Sequence, residues 1–270
     1  MSGAFRSLAR AAWRDGATVQ GDRVVAEETP IALVYNASTY AVMMASPTNL
    51  EDFATGFSLT EGVITAALEI IGFETAHTDQ GVEARIWLDP ARAAGLAERR
   101  RHVAGPTGCG LCGVESLEAA LRPAPRTPET GQRLTPAWIL SAMASLSAAQ
   151  PLNQATRATH AAGLVAPDGR LVAAREDDGR HNALDKLVGA VARGGLAVPG
   201  GAVVLTSRVS VEMVQKSAVL GAAFVIAVSA PTTLAIATAE TAGITLIGIT
   251  RADGFEVFTR PDRVILDAAP

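Results

Sequence analysis

The sequence predicts an α/β fold, and three observations support this fold class. Short apolar runs rich in β-branched residues alternate with helical stretches through the second half of the chain. The 270 residues correspond to one large domain or two modest ones, at about 150 residues per domain. Hydrophobic residues make up 49% of the chain and charged residues 19%, which excludes an intrinsically disordered protein. The alternation is typical of a mostly parallel sheet that helices cover on both faces.

The first elements are expected after a weakly specified leader, residues 1–22. Residues 23–46 predict two strands that form a hairpin, because two apolar runs with β-forming residues flank an Asn-Ala-Ser turn. Pro30 is expected to break the first of these runs.

A helix is expected to open at Pro47, where apolar residues begin to recur at helical spacing. Ser46 or Thr48 is its expected cap, and Gly62 is expected to end or interrupt it. Residues 83–88, EARIWL, predict a further strand.

The best domain boundary is the segment 122–137, which contains four prolines and no predicted core. We therefore predict an N-terminal domain over 20–121, a proline-rich linker over 122–137 and a second domain over 138–270. The second domain is expected to contain, in order, a helix near 136–149, strands HAAGLVAP and GRLVAARE, helix HNALDKLVGAVARG, strand AVVLTS, helix SVEMVQKSAVLG, strand AAFVIAVS, helix TTLAIATAETAG, and strands ITLIGIT and FEVFT.

Charge and hydropathy exclude several classes of function. The net charge of −4 offers no general basic surface for nucleic acid or for an anionic membrane. Residues 217–239 form a charge-free run long enough to span a bilayer, but Pro231 and the surrounding hydroxyl residues predict a strand, a turn and a helix instead. With no signal-peptide pattern and only two cysteines, we expect a cytoplasmic protein.

The segment GPTGCGLCG, residues 105–113, is the leading candidate for chemistry. It places Cys109 and Cys112 three positions apart among four glycines. An arginine-rich run precedes it, and a predicted helix begins near Cys112. Positive charge and a helix N-terminus favour thiolate over thiol, and thiolate is the form that attacks sulfur. The segment therefore favours sulfur exchange or transfer.

Three other interpretations of the two cysteines stay open at this point. A structural zinc site needs four ligands, so His102 and one more histidine would have to complete it. A thioredoxin-like redox pair normally follows a strand and opens a helix, whereas glycines flank both cysteines here. The third interpretation is a pair of passive loop cysteines.

A second candidate segment is REDDGRHNALDK, residues 175–186, which has eight ionisable residues among twelve. It lies between a predicted strand and a predicted helix, where ligands bind in open α/β sheets. Arg180 and Lys186 are candidates for holding phosphate, and His181 for shuttling a proton or donating to an anion. The other interpretation is a solvated turn with an Asp or Asn cap.

Three later strand ends repeat this pattern. Arg208 follows one strand, with Ser210 as the expected cap of the next helix; Ser229 follows a second strand, and Arg251 a third. A helix N-terminus with an arginine beside it binds anions, but an ordinary cap with a surface arginine explains the same residues. Neither GxGxxG after a strand nor GxxxxGK[ST] occurs, so the common nucleotide motifs give no support.

Several long motifs, in order, resemble the formate dehydrogenase accessory sulfurtransferase family, FdhD. They include PTGCGLCGVESL, ATHAAGL, REDDGRHNALDKLVG, TSRVSVEMVQKSA and SAPTTLA. The resemblance runs from about residue 27 to residue 259, nearly the whole chain. It implies a small N-terminal α/β domain followed by a cytidine-deaminase-like three-layer α/β/α domain without zinc ligands, usually as a homodimer.

The resemblance also implies a function. The family takes sulfur as a persulfide from a cysteine desulfurase and passes it to the molybdenum or tungsten bis(molybdopterin guanine dinucleotide) cofactor of formate dehydrogenase, whose catalytic subunit is then a partner. Carried over to this chain, Cys109 bears the persulfide and Cys112 assists it. The resemblance places the cofactor at the turn formed by Ile249, Thr250, Arg251, Ala252, Asp253 and Gly254.

The expected cofactor site has further members and one departure. Arg180, His181, Arg208 and Arg251 would compensate phosphate charge, with Ser229 beside them, and GDP or another guanine nucleotide would mimic the cofactor. Asp178 stands where the family commonly has an apolar residue. Two other functions remain, a non-catalytic chaperone that binds the cofactor and a thiol oxidoreductase. No resident metal, nucleic acid or membrane partner is expected.

Overall fold

The structure, a computed structural model, describes residues 3–103 and 122–266, without the side chains of residues 97–103. The described chain begins with a long antiparallel hairpin of strands β1 (Phe5–Arg14) and β2 (Ala17–Ala26). Asp15 and Gly16 form its two-residue turn, and both have positive φ, as such a turn requires. The expectation of a weakly specified leader was therefore wrong, because this Asp-Gly pair closes a hairpin.

A four-stranded sheet follows, in the order β4-β3-β6-β5. Its strands are β3 (Thr29–Tyr35), β4 (Ser38–Ala45), β5 (Ile70–Thr78) and β6 (Gly81–Leu88). The hairpin predicted at the Asn-Ala-Ser turn is confirmed as β3–β4, although the predicted first strand is divided between β2 and β3. The strand predicted over 83–88 is confirmed as β6.

Helix α1 (Leu50–Thr60) covers one face of this sheet, and α2 (Pro90–Val103) follows β6. Phe53 and Phe57 of α1 pack with Ile31 and Leu33 of β3 in the core of this half. The helix begins later than expected, because Asn49 in a left-handed conformation precedes Leu50 and no side chain caps it. It ends near Gly62, as expected.

The second half contains a six-stranded sheet in the order β12-β11-β10-β9-β7-β8. Its strands are β7 (His160–Val165), β8 (Leu171–Asp177), β9 (Ala202–Leu205), β10 (Phe224–Ala227), β11 (Thr245–Arg251) and β12 (Gly254–Val257). Each matches a predicted strand. The expectation of a mostly parallel sheet was wrong: only β9–β10 and β10–β11 pair in parallel, because β7–β8 and β11–β12 are hairpins and β7 runs against β9.

Helices cover both faces of this sheet, which confirms the three-layer α/β/α arrangement. Helix α3 (Pro136–Ala148) packs on one face, followed by the short α4 (Pro151–Thr156). Helices α5 (Arg180–Gly194), α6 (Val211–Leu220) and α7 (Thr233–Ala242) pack on the other face. The charge-free run 217–239 therefore comprises the end of α6, strand β10 and the start of α7. In the described ranges, no helix is long and apolar enough to cross a membrane.

The proline-rich segment lies extended along the second half and contributes to its core. Leu134 is fully buried and bridges to Val264, and the Thr127 amide donates to the Ala242 carbonyl at 2.9 Å. The expectation of a segment without a core was wrong at Leu134, where a single apolar residue among prolines fills the space beneath α3. The predicted domain boundaries at 122 and 137 stay a prediction.

The two halves meet where α1 crosses α5. Gly56 and Gly189 lie at the crossing, and a Cβ atom added to Gly56 would lie 1.7 Å from the Asp185 carbonyl oxygen. A Cβ atom on Gly189 would lie 1.9 Å from the Asp52 carbonyl oxygen. The two backbones are therefore in direct contact, which holds the halves in a fixed relation.

Candidate functional site

The candidate ligand residues meet at one edge of the six-stranded sheet. Strands β9, β10 and β11 run in parallel, so the loops that follow them lie side by side. Hydrogen bonds join these loops: the Val209 amide donates to the Ala230 carbonyl at 3.3 Å, and the Ile249 amide donates to the Ser229 carbonyl at 3.3 Å. Arg208, Ser229 and the turn at 249–254 thus belong to one connected surface.

The start of α5 lies at this same edge, because β8 runs in the same direction as β9. His181, in the first turn of α5, is partly buried, and its pKa is lowered from 6.5 to about 4. Burial is the largest cause, the positive charges of Arg180, Lys216 and Arg208 add to it, and Glu212 opposes them. The imidazole is therefore neutral at pH 7, and positive charge surrounds it. We call the surface between the starts of α5 and α6, where these charged groups lie, the cleft.

Glu212 is a site residue that the sequence reasoning missed. It lies in the first turn of α6, and the Ser210 hydroxyl donates to its carboxylate at 2.6 Å. Burial raises the pKa of Glu212, but hydrogen bonds from the Ser210 hydroxyl and the residue's own backbone amide, with the charge of Arg180, outweigh burial and lower it. Ser210 is the N-cap residue of α6, as predicted, but its hydroxyl holds this carboxylate and makes no hydrogen bond to the helix backbone. An acidic residue in a first helical turn was the available signal.

The turn at 249–254 has an unusual backbone. Ile249 has a φ of 52°, in the left-handed region that β-branched residues rarely adopt, and the pairing of β11 with β12 shifts between Gly248 and Arg251. Ile249 is 36% exposed, although its two neighbours are buried. The hydroxyl of Thr250 is buried and has no hydrogen-bond partner among the described residues. The turn thus presents an apolar side chain at the surface and an unsatisfied hydroxyl beneath it.

The arginines of the site differ in their availability. Arg208 is exposed in the loop after β9. Arg251 is exposed too, but its guanidinium donates to the carbonyls of Val228 and Thr250. The Nε atom of Arg180 is buried without a partner in the described chain. Arg208 and Arg180 are therefore the arginines with donors to offer an anion.

Lys186 was predicted to hold phosphate, and that prediction was wrong. Its ammonium is fully buried, 2.6 Å from Asp177, and it donates to the hydroxyl and the carbonyl of Ser46. Burial lowers the pKa of Lys186, and the adjacent Asp177 opposes this effect. The lysine lies on the face of α5 that is turned toward the first half, away from the cleft.

Asp178 adds negative charge near the same helix. Both of its carboxylate oxygens are buried without a hydrogen-bond partner in the described ranges. Burial raises its pKa to about 6, and the neighbouring charges of Asp177 and Glu28 raise it as well. This carboxyl group therefore takes up a proton more readily than an exposed aspartate.

Cys109 and Cys112 lie outside the described residues, and the described chain resumes at Arg122, which is anchored near the cleft. Arg122 donates from its guanidinium to the Thr60 carbonyl at 2.7 Å, and Gln215 of α6 donates to the Arg122 carbonyl at 2.7 Å. Glu212 lies one turn before Gln215 on the same helix. Cys112 is ten positions before Arg122, and ten extended residues span at most about 35 Å. Arg122 itself is therefore held beside α6, the helix that carries Glu212 in its first turn.

A buried ion pair supports this attachment point. Lys216 of α6 lies 2.8 Å from Asp185 of α5, and the Thr60 hydroxyl donates to the same carboxylate at 2.7 Å. Burial raises the pKa of Asp185, and the nearby Lys216 charge lowers it. In the described ranges, no group of three or more His, Cys, Asp or Glu residues is arranged to hold a metal ion.

Comparisons with known proteins agree on one family. The sequence profile described as the FdhD/NarQ family matches residues 26–265. A protein from Agrobacterium fabrum named sulfur carrier protein FdhD is 52% identical over 97% of this chain and 97% of its own length. A protein of the same name from Cupriavidus necator is 46% identical over 95% of this chain and 89% of its own.

A solved structure is also similar. The crystal structure of a protein from Desulfotalea psychrophila, described as a formate dehydrogenase accessory protein, superposes with a TM-score of 0.77 at 29% identity. The match covers 97% of this chain and all of that one.

Proposed function

The chain belongs to the FdhD/NarQ family, and from this premise we propose that it is a sulfur carrier that accepts persulfide sulfur from a cysteine desulfurase and transfers it to the Mo-bis(molybdopterin guanine dinucleotide) substrate of formate dehydrogenase maturation. Relatives that share about half of its residues are named sulfur carrier proteins. The observation that carries the proposal is the attachment of Arg122, ten positions after Cys112, to α6, the helix whose first turn holds Glu212 beside the cationic cleft.

The first step is a thiol exchange on Cys109. Its thiolate attacks the outer sulfur of the desulfurase persulfide, a new S–S bond forms on Cys109, and the desulfurase leaves as a thiolate. The arginine-rich run before the segment favours the ionised form of the attacking thiol.

The second step releases the sulfur. The Cys112 thiolate attacks the inner sulfur of the Cys109 persulfide, which forms a disulfide and expels hydrosulfide toward the metal centre of the bound substrate. A thiol reductant then reopens the disulfide. The cleft holds the substrate through its phosphates: Arg208 and Arg180 donate to them, and neutral His181 donates or accepts one hydrogen bond.

The turn at 249–254 receives the nucleotide end of the substrate in this proposal. Its support is the exposed Ile249, against which a flat base packs, and the unsatisfied hydroxyl of Thr250. GDP serves as a mimic of this end. The partners we propose are a cysteine desulfurase, the formate dehydrogenase catalytic subunit and a second copy of the chain, in the cytoplasm.

Mass spectrometry of the intact protein tests the sulfur transfer. After incubation with a cysteine desulfurase and cysteine, the wild-type chain is expected to gain one sulfur atom, and Cys109→Ala is expected to gain none. Cys112→Ala should still load, because the first step does not use its thiol. Sulfur loading on Cys109→Ala at the wild-type level would contradict the assignment. A loss of two hydrogen atoms in the wild type, with no sulfur gain on Cys112→Ala, would indicate a thiol oxidoreductase.

The cleft itself favours a second candidate, a chaperone that binds the cofactor without transferring sulfur. The positive charge around His181 is present whatever the cysteines do. This candidate predicts that Cys109→Ala supports formate dehydrogenase maturation as well as the wild type does. Sulfur transfer predicts that the same variant abolishes it.

A further inference from the structure

Strands β1 and β2, residues 5–26, form an arm that stands away from the rest of the chain. Beyond its root, the arm meets the body at α4, where Arg23 donates to the Thr156 carbonyl at 3.2 Å. Leu8 is 52% exposed, Val19 53% and Trp13 74%. A two-stranded hairpin is marginally stable by itself in water. The family profile begins only at residue 26, so the arm lies outside the match that defines the family.

One face of the arm is basic and apolar. Strand alternation and the register of β1 with β2 put Arg6, Leu8, Arg10, Arg14 and Arg23 on this face, beside Val19. Arg6 pairs with Glu27 and Arg23 donates to α4 of the same chain, so Arg10 and Arg14 are the arginines of this face that the arm offers to another surface. The arm contains four arginines and two aspartates, a net charge of +2 in a chain of −4, so the remainder of the chain carries −6. The Nε atom of Arg10 is buried without a hydrogen-bond partner in the described chain. The arm is therefore suited to an acidic surface with apolar patches.

The same chain offers such a surface on its four-stranded sheet. Helix α1 covers one face of that sheet, and the other face carries Val42 and Trp87, 45% and 37% exposed. Glu83 shares this outer face with Val42, because both pair with Ala32 of β3. Glu74 lies opposite Arg85 on the same outer face. Arg85 forms ion pairs with the carboxylates of both Glu74 and Glu83, so these three residues together leave one negative charge.

We propose that the basic face of the arm docks on the outer face of the four-stranded sheet of a second copy of this chain. Contact between two arms would bring together two positive charges, whereas contact between arm and sheet joins opposite charges and buries Leu8 and Val19 against Val42 and Trp87. Both surfaces are exposed in the single chain, so the arm does not cover its own sheet.

The geometry allows a closed, reciprocal dimer. Strands of ten residues extend about 33 Å, the size of a small domain, so the arm reaches across a neighbouring copy. Each copy has one arm and one sheet face, so a two-fold axis satisfies both contacts at once. This inference rests on the self-association in the proposed function and is independent of sulfur transfer.

Light scattering coupled to size-exclusion chromatography tests the interface by charge exchange. The wild type is expected to be a dimer. The arm variant Arg10→Glu/Arg14→Glu and the sheet variant Glu74→Arg/Glu83→Arg should each raise the dimer dissociation constant about tenfold or more, because each places like charges in contact. Combining the four substitutions should restore the dimer. The matched control Arg126→Glu/Arg170→Glu changes the charge equally on exposed residues of the second half and should remain dimeric.

The outcomes separate cleanly. Three results would overturn the inference: a wild type that is monomeric, an arm variant that stays dimeric, or a variant with all four substitutions that stays monomeric. Circular dichroism and thermal unfolding check that each variant is folded, as expected for exposed side chains. Sulfur loading by a desulfurase should persist in the monomeric variants, so a failure of the interface is distinct from a failure of the proposed carrier function.

Discussion

His181 links the charge of the cleft to stability at the scale of one residue. Its pKa falls from 6.5 to about 4 on folding, chiefly through burial and the charge of Arg180. The unfolded chain therefore binds more protons than the folded one below about pH 6.5. Stability from this group is complete above that pH and is lost as the pH falls toward 4.

We predict that His181→Gln makes the protein less sensitive to acid. Between pH 7 and pH 5, the wild type should lose about 2 kcal/mol more unfolding free energy than the variant, because glutamine takes up no proton. Urea unfolding at the two pH values measures this difference, and the comparison with the variant cancels the titration of other groups such as Asp178. Equal losses in both proteins would show that His181 titrates in the folded protein as it does in the unfolded chain.

Single residues also show where sequence reasoning reaches its limit. Arg208 and His181 were identified from their positions at strand ends, and the structure places them at one edge. Lys186 follows His181 by five positions and was predicted with it, but a helix turns about 100° per residue and carries Lys186 to the opposite side. Its partner Ser46 lies in the other half of the chain, which no local pattern indicates.

Among the elements, the crossing of α1 and α5 allows the sharpest prediction about stability. Gly56→Ala should lower the unfolding free energy by about 3 kcal/mol or more, because the new methyl group overlaps the Asp185 carbonyl and the backbones must separate. Gly95→Ala in α2 is the matched control, since nothing lies within 4 Å of its added Cβ atom. That variant should be neutral or slightly stabilising. Denaturant unfolding compares the two, and a mild effect of Gly56→Ala would mean that the helices part easily.

The loop after β9 allows a prediction about binding. Arg208→Ala should weaken GDP binding about tenfold, the usual loss for a charge-assisted hydrogen bond to phosphate. Arg126→Ala removes an equally exposed arginine away from this edge and should leave GDP affinity unchanged. Isothermal titration calorimetry measures both. If the Arg208 variant binds as the wild type does, the phosphates lie elsewhere in the cleft.

The elements of the second half were predictable because the apolar strands there are bounded by turn signals, and β8, β9 and β10 are each followed by a helix of clear period. Their directions were not, since strands in parallel and antiparallel pairs have the same apolar pattern when helices cover both faces. The arm escaped prediction for another reason. Strand β1 is rich in Ala and Arg rather than β-branched residues. The Asp15-Gly16 turn was the one sequence signal that could have indicated the hairpin.

For the whole molecule, the contact between backbones implies that both halves unfold together. Trp87 reports on the first half and Trp138 on the second. We predict that their fluorescence transitions coincide, within about a degree, when each is studied with the other tryptophans replaced by phenylalanine. Separate unfolding transitions for Trp87 and Trp138 would show that the halves unfold independently, despite the buried ion pairs and the glycines where α1 crosses α5.

The left-handed Ile249 has a consequence for anyone who engineers this protein. Glycine at that position would remove the backbone strain and should raise the unfolding free energy by about 0.5–1 kcal/mol. The same exchange deletes the exposed hydrophobic side chain on which we propose that the nucleotide packs. Selection for thermostability alone would therefore favour a more stable protein with a lower affinity for the nucleotide substrate. A screen should measure both stability and nucleotide binding.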